Sequence, residues 1–300
     1  MISVLIPVYN YDITSLVKEL HSQLESANIT YEIICLDDFS DDSISSINEK
    51  ATKLPNTKYI KSNSNNGIAI TRQNLVKSAS FDWIILLDAD TKINEKFISS
   101  YLTYVGKEYG FIFGGFKYDE TPPSNEILLR WKYGIKCEAI SARIRNKNPY
   151  KVTIAANLLT RREDYLGLDL DDIGNNYAMD YFFGSKLKAV SAKVFHIDNQ
   201  VLHLGIENSS SYLQKKERAV YTLLTLYRQD KIEIHSNDLL KAFIFLKRFG
   251  LNYLFSFWFK VFQKRMSTNL TGKKPSVMLL QLYKVSYMCS LDLEKKNEFS

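Results

Sequence analysis

Cysteine is scarce in this chain. Cys35, Cys137 and Cys289 are an odd three in 300 residues, without metal-ligand spacing. That excludes a disulfide framework and a cysteine-built metal site, and it favours a reducing compartment. Cys35 lies inside the apolar run EIICL, where a reduced core thiol is expected. Long hydrophobic runs are missing as well: nowhere do about 18 uncharged apolar residues follow one another, so no membrane-spanning helix is expected. Met1 leads directly into ISVLIP, without the basic start or small-residue cleavage site of a signal peptide. The expected location is cytoplasmic. Internal repeats and low-complexity linkers are absent too.

Acid is short in one region. Residues 206–300 hold 16 Lys and Arg against 8 Asp and Glu, whereas residues 1–205 hold 23 against 25. The net charge of +6 therefore belongs to the C-terminal third. No nucleic-acid reader motif accompanies those charges, and no nucleic-acid partner is expected.

What is present can build a sizeable core, since 45% of the chain is hydrophobic. The first ninety residues alternate strand and helix signals. ISVLIP (2–7), YEIICL (31–36), TKYIKS (57–62) and WIILL (83–87) read as strands. Between them, Leu16, Val17, Leu20 and Leu24 recur at helical spacing, a second helix starts at a cap among Ser40, Asp41 and Asp42, and a third follows Gly67. Strands about 25 residues apart with intervening helices predict a parallel sheet covered on both faces. Ligands of such sheets lie beyond the carboxyl ends of the strands. Polar residues fall at those ends: Tyr9 and Asn10, Asp37 and Asp38, Asn63 and Asn66, then Asp88 and Asp90.

Past residue 106 the alternation breaks. FIFGGFKY (111–118) and VTIAANLLT (152–160) read as strands, 125–145 as a helix, 180–188 as another, and AKVFHI and QVLHLG as short strands. After residue 210 the signal is helical, with Val220, Leu223, Leu224 and Tyr227 on one core-facing stripe.

The run WIILLDADT places two carboxylates, one residue apart, at the tip of a buried strand. Asp88 and Asp90 can share one divalent cation there, and hard oxygen ligands suit Mg²⁺ or Mn²⁺ with phosphate oxygens and water completing the shell. Sugar transfer from a nucleotide donor and phosphoryl hydrolysis both use such an arrangement. An acidic loop without a metal is the plain alternative.

SVLIPVYN, LDDFSDDS (36–43), NNGIAITRQN (65–74) and LLDAD (86–90) occur in the order found in family 2 glycosyltransferases, which the chain resembles. GGFKYDETP, LRWKYG (129–134), AANLLTRRE (155–163) and HIDNQVLHLG (196–205) extend the resemblance to a bacterial surface-polysaccharide subgroup, over roughly residues 1–230. It implies an inverting enzyme with a GT-A fold, a Rossmann-like, mainly parallel sheet with flanking helices. The implied division is a nucleotide-sugar-binding half (1–105), an acceptor-binding half (106–210) and a helical extension (211–300). Pro7, Tyr9, Asn10, Asp37, Asp38, Asn66, Gly67, Arg72, Asp88 and Ala89 would hold a donor, UDP-linked by family habit. Asp88, Asp90 and His203 would hold the metal, with a diphosphate contact or an ordinary strand histidine as the other readings of His203, and Asp180 would be the general base. A helix N-cap is the other reading of Asp180.

Two positions depart from the subgroup. Its usual Arg-Asn is Arg72-Gln73, and its acidic pair is reduced to Asp180 in Tyr177-Ala178-Met179-Asp180. Met179 cannot position an acceptor hydroxyl by hydrogen bonding, which leaves acceptor choice and rate in question and keeps a catalytically silent donor-binding protein as an alternative.

Trp131 and Tyr133 could stack on an acceptor sugar or pack in a core, and Asn157 is a further acceptor-side candidate. Arg72 could reach the donor phosphates or form a salt bridge. Gly114-Gly115 marks either a close backbone approach to the donor or a strand bend. Residues 239–266 interleave aromatics with Lys and Arg, a pattern for an anionic membrane surface or for helices packed on the catalytic domain. A glycan or lipid-linked glycan would be the acceptor, and a lipid-linked one would suit the inner face of the cytoplasmic membrane. A haloacid-dehalogenase-type phosphohydrolase also uses D-x-D-x-T, but three strands precede Asp88 and its downstream lysine and acidic motif are missing. A sugar-phosphate nucleotidyltransferase would need a glycine-rich loop where IPVYNYD stands.

Overall fold

A computed structural model describes residues 1–122, 124–168, 170, 179–232 and 237–297, with only the backbone at 179–181 and 295–297. The chain forms two compact units: Met1–Tyr118, Ala139–Asn175 and Lys186–Gly205 make the first, and Asp119–Glu138, Asn176–Ser185 and Ile206–Ser300 the second. The first unit continues through residue 105 to Tyr118, and the second resumes at Ile206.

The first unit is built on the four predicted strands, β1 (Ile2–Val8), β2 (Tyr31–Asp37), β3 (Thr57–Lys61) and β4 (Trp83–Leu87). They pair in parallel in the order β3-β2-β1-β4. Every residue of β1 and β2 is buried, which is why both read as unbroken apolar runs and not as alternation. Helices α1 (Thr14–Ser26), α2 (Asp42–Ala51) and α3 (Ile68–Ser78) fill the connections. The stripe Leu16, Val17, Leu20 and Leu24 is the buried face of α1, and each such side chain contributes roughly 1.5–3 kcal/mol. Asp41 is the N-cap of α2, but no side chain caps that helix; the Asp41 N–H donates instead to Asn10 Oδ1 at 2.8 Å.

Beyond β4 the sheet turns antiparallel. β8 (Asn157–Arg161) runs between β4 and β6 (Phe111–Phe113), and β9 (Val194–His196) closes the seven-stranded order β3-β2-β1-β4-β8-β6-β9 among the described residues. β8 is shorter than the predicted 152–160. FIFGGFKY is two strands, not one: β7 (Phe116–Lys117) leaves the large sheet and joins β10 (Val201–His203) and β5 (Thr91–Lys92) in a small one. The break is at the glycine pair. Gly115 has φ +86°, and a Cβ on Gly114 would lie 2.4 Å from Asn157 Nδ2, so the pair is a strand bend. Arg145, on α6 (Ala142–Arg145), secures it by donating to the carbonyls of Phe113, Gly114 and Ile197 at 3.2, 3.1 and 2.7 Å.

The helix predicted over 125–145 is interrupted. Asn125–Ile127 is a 3-10 turn, α5 covers Leu128–Tyr133, Gly134–Glu138 is wound as a π-helix, and α6 belongs to the first unit. α7 (Arg162–Leu166) follows β8, and α8 spans Met179–Ala189.

The second unit packs α5 with α9 (Ser209–Arg228), α11 (Leu251–Leu270) and α12 (Val277–Asn297) around Leu129, Tyr212, Phe259, Leu270, Leu280 and Tyr283. α10 (Asp238–Arg248) starts at Asn237, whose side chain accepts from the Leu239 and Leu240 N–H groups. Asp292 ties three helices together, accepting from Arg228 of α9 at 3.0 Å and Lys247 of α10 at 2.9 Å.

Candidate active site

The carboxyl ends of β1, β2 and β4 carry the site in the first unit. Asp38 N–H donates to Val8 O at 2.8 Å, which ties the end of β2 to that of β1. The two aspartates of the pair then diverge. Asp37, buried, accepts from the Ser40 N–H at 2.8 Å and the Tyr59 hydroxyl at 2.6 Å. Asp38, also buried, accepts from the Asn66 and Gly67 N–H groups at 2.8 and 2.7 Å and from Asn66 Nδ2 at 3.2 Å. Gly67 is the N-cap of α3, so Asp38 fixes where that helix begins.

α3 in turn presents Arg72, buried, whose Nη2 lies 2.6 Å from Asp88 Oδ1. Arg72 therefore forms a salt bridge with the first aspartate of the D-x-D. Tyr165, buried beside this pair, is pushed up to about 12 by burial; the Arg72 charge opposes that rise and the Asp88 charge adds to it. The Asp88 backbone is held from two sides: its N–H donates to Ala156 O at 3.1 Å, and its carbonyl accepts from Thr91 Oγ1 at 2.7 Å.

Asp90 faces a different set. Its Oδ2 is 3.6 Å from His203 Nε2, and its carbonyl accepts from the Leu204 N–H at 2.8 Å. Gly205 makes this possible, because a Cβ there would lie 1.8 Å from Asp90 Oδ2. His203 packs against the Phe116 and Tyr118 rings at 5.1 and 5.6 Å. Burial first, then the charge of Asp90, then that of Asp12, raise the Tyr11 phenol above its usual range.

A metal ion is tested by this geometry. The 3.6 Å between Asp90 Oδ2 and His203 Nε2 is long for a hydrogen bond, yet two ligands of one cation at about 2.1 Å each can stand that far apart. Both side chains retain some exposure, 28% and 11%, so Asp90 and His203 fit as ligands. Asp88 is committed through one oxygen to Arg72. Among the described residues, no three His, Cys, Asp or Glu side chains gather as a metal-binding group.

The other predicted residues fall as follows. Tyr9 and Asn10 are exposed beyond β1, Asn63 is exposed beyond β3, and Pro7 and Ala89 are buried. Asn157 is fully buried: its Nδ2 donates to Gly115 O and Asn199 O, and its Oδ1 accepts from the Tyr101 hydroxyl. In the second unit, Trp131 Nε1 donates to Asp119 O at 2.9 Å, and Tyr133 packs against the helical core with Lys216 Nζ 4.8 Å from its ring centre. Tyr177 lies outside the described residues, as do the side chains of Met179 and Asp180. His196 is buried and structural: Arg145 lies against its Nδ1, and its Nε2 lies 2.8 Å from Pro149 O.

Sequence reasoning missed Tyr11, Tyr165, Gly205 and Phe39. Phe39 follows the acidic pair, is 59% exposed and has φ +72°, a strained conformation for a bulky side chain. Its position directly after LDD was the available signal.

The mixed sheet, with acidic side chains at the carboxyl ends of its parallel strands, has the architecture of the GT-A fold. A family model, Glycosyl transferase family 2, matches residues 3–165, and the chain belongs to that family.

Solved structures agree on the fold. The mannosyltransferase PcManGT from Pyrobaculum calidifontis, in complex with GDP-Man and Mn²⁺, is 11% identical over 97% of this chain and 86% of its own, with a TM-score of 0.55. Mannosyl-3-phosphoglycerate synthase from Rubrobacter xylanophilus is 14% identical over 77% and 74%, also at 0.55. S. aureus TarS residues 1–349, in complex with UDP-GlcNAc, is 15% identical over 98% and 92%, at 0.51. A longer TarS chain is matched over only 39% of its length. No curated protein matches the chain.

Proposed function

We propose that this glycosyltransferase is a metal-dependent, inverting enzyme that moves a sugar from a nucleotide donor, UDP-linked in our reading, to a hydroxyl of a glycan or lipid-linked glycan in surface-polysaccharide synthesis. The observation that carries it is the convergence of Asp38, Asn66-Gly67, Arg72, Asp88, Asp90 and His203 at one sheet edge. Two relatives captured with GDP-Man and Mn²⁺ and with UDP-GlcNAc support a nucleotide-sugar and metal reading.

In this reading the loops after β1 and β2, with Tyr9, Asn10 and Asp38, embrace the nucleoside. Asp88, oriented by Arg72, accepts from donor hydroxyls. Asp90 and His203 would hold Mn²⁺ or Mg²⁺, Mn²⁺ being favoured because an imidazole completes the set. The chemistry such an ion would supply there is neutralisation of the charge developing on the departing diphosphate. Asp180 takes the proton of the attacking hydroxyl, the role its place in the family pattern implies. Most of the acceleration comes from holding donor and acceptor in line.

The test is a thermal-shift screen of sugar nucleotides with Mn²⁺, followed by release of nucleoside diphosphate. One donor should raise the melting temperature further with metal than without it and be consumed slowly even without acceptor. Binding without turnover on any acceptor would instead identify the silent protein that Met179 invites. Asp180→Asn should keep donor binding and abolish transfer; full activity in that variant removes Asp180 from the mechanism.

A further inference from the structure

α10 and α11 expose an apolar surface that the second unit does not use. Phe245, Phe249, Tyr253, Leu254, Phe257 and Val261 are each more than half exposed. On α11 the buried face is Asn252, Ser256, Phe259, Met266 and Leu270. At 3.6 residues per turn, Leu254, Phe257 and Val261 fall on the opposite side. The helix thus has two apolar faces, and only one is covered within its unit. At the end of α10, Phe245 and Phe249 add two more exposed rings, with centres 4.9 Å apart.

The charge around this surface is of one sign. From Leu239 to Lys274 the chain has eight Lys and Arg and no Asp or Glu. Lys260, Lys264 and Arg265 are exposed on α11 beside the apolar strip, and Arg248 is exposed at the end of α10.

We propose that this face docks on an anionic lipid bilayer, with α11 lying in the plane of the headgroups, Leu254, Phe257 and Val261 inserted, and the basic residues meeting phosphate. Aromatic and aliphatic side chains on one face with Lys and Arg at its margins form the composition that settles at such an interface. A second copy of the chain is the poorer occupant, because a two-fold contact sets the patch against itself and brings like charges together. Among the described residues no helix is long and apolar enough to cross the membrane, so the helices lie on the surface. This inference is independent of the donor-site reading, and either can fail alone.

The experiment is flotation of the full chain with vesicles of phosphatidylglycerol and phosphatidylcholine, against phosphatidylcholine alone, at low and high salt. Binding should be at least about tenfold stronger on the anionic vesicles and weaken as salt rises, each basic residue being worth about fivefold. Leu254→Glu with Phe257→Glu should lower vesicle affinity about tenfold or more, with melting temperature and nucleotide binding as in the parent. Lys260→Glu with Lys264→Glu leaves the apolar strip intact and should lose the preference for anionic lipid. Equal binding to both vesicle types, or to neither, overturns the proposal. So does a salt-stable dimer that the Leu254 and Phe257 replacements dissociate, which would assign the face to a second copy.

Discussion

Arg72 Nη2 and Asp88 Oδ1 are 2.6 Å apart, joining the buried side of α3 to the first aspartate at the end of β4. Asp38 sets the start of α3 through the Gly67 N–H, so one acidic residue positions the helix whose arginine then orients another. The D-x-D is thereby divided: Asp88 faces a cation of the protein, and Asp90 faces His203.

Removing one side of that pair leaves a charge poorly solvated. Arg72→Met should cost about 2–3 kcal/mol in urea unfolding, below the ~3–5 kcal/mol of a fully buried pair because Asp88 keeps some exposure. Adding Asp88→Asn should restore part of it, with a coupling energy of about 1–3 kcal/mol. Additive effects would show that the two side chains do not act together.

Gly205→Ala places a methyl group against Asp90 Oδ2. The carboxylate must turn away from His203, and Mn²⁺-dependent nucleotide binding should fall at least about tenfold, as for loss of a neighbouring support of a metal ligand. Calorimetric titration with and without Mn²⁺ reads this directly, and metal-free binding should be unchanged.

Phe39 stores strain in its left-handed backbone while exposing its ring beside the acidic pair. Phe39→Gly should raise stability by about 1 kcal/mol, the released strain exceeding the entropy cost of glycine. If the ring stacks on the donor's base, nucleotide affinity should fall about tenfold. A stability gain with unchanged affinity would make the strain a matter of chain geometry alone.

His196 gives the pH dependence. Burial first, opposed by the Pro149 carbonyl and reinforced by Arg145, lowers its pKa to about 4. The unfolded chain therefore takes up the proton first, so this contribution to stability is complete above the ordinary histidine range and is lost as the pH falls toward the folded value. Between about pH 7 and about pH 5 it should amount to about 2 kcal/mol of lost stability. His196→Gln should flatten that slope in urea melts at the two pH values; an unchanged slope would assign the acid sensitivity to other groups.

β1, β2 and β4 were legible because buried parallel strands write themselves as largely apolar runs ending in polar residues; β3, with no buried residue, was read only as a short strand between two helices. The small sheet was legible only in part. QVLHLG read as the strand that is β10, and FIFGGFKY contained β7, but β5 and β7 are two residues long, too short for any period, and the break that separates β7 from β6 lies at the Gly114-Gly115 bend that Arg145 holds. The burial of Asn157 was hidden for a related reason: an asparagine that ends a loop and one that satisfies buried carbonyls look the same in a sequence. Arg72 stood between phosphate contact and salt bridge until its helix was placed. Gly205 carried no signal alone, since its meaning is the nearness of Asp90.

The division of the D-x-D is tested most directly by titrating UDP, with and without Mn²⁺, into the parent chain, Asp90→Asn and Asp88→Asn. The account predicts that Asp90→Asn abolishes the metal-dependent gain in affinity while leaving metal-free binding as it was, and that Asp88→Asn weakens binding equally in both conditions. Loss of the metal-dependent gain in Asp88→Asn, with the gain retained in Asp90→Asn, would contradict it.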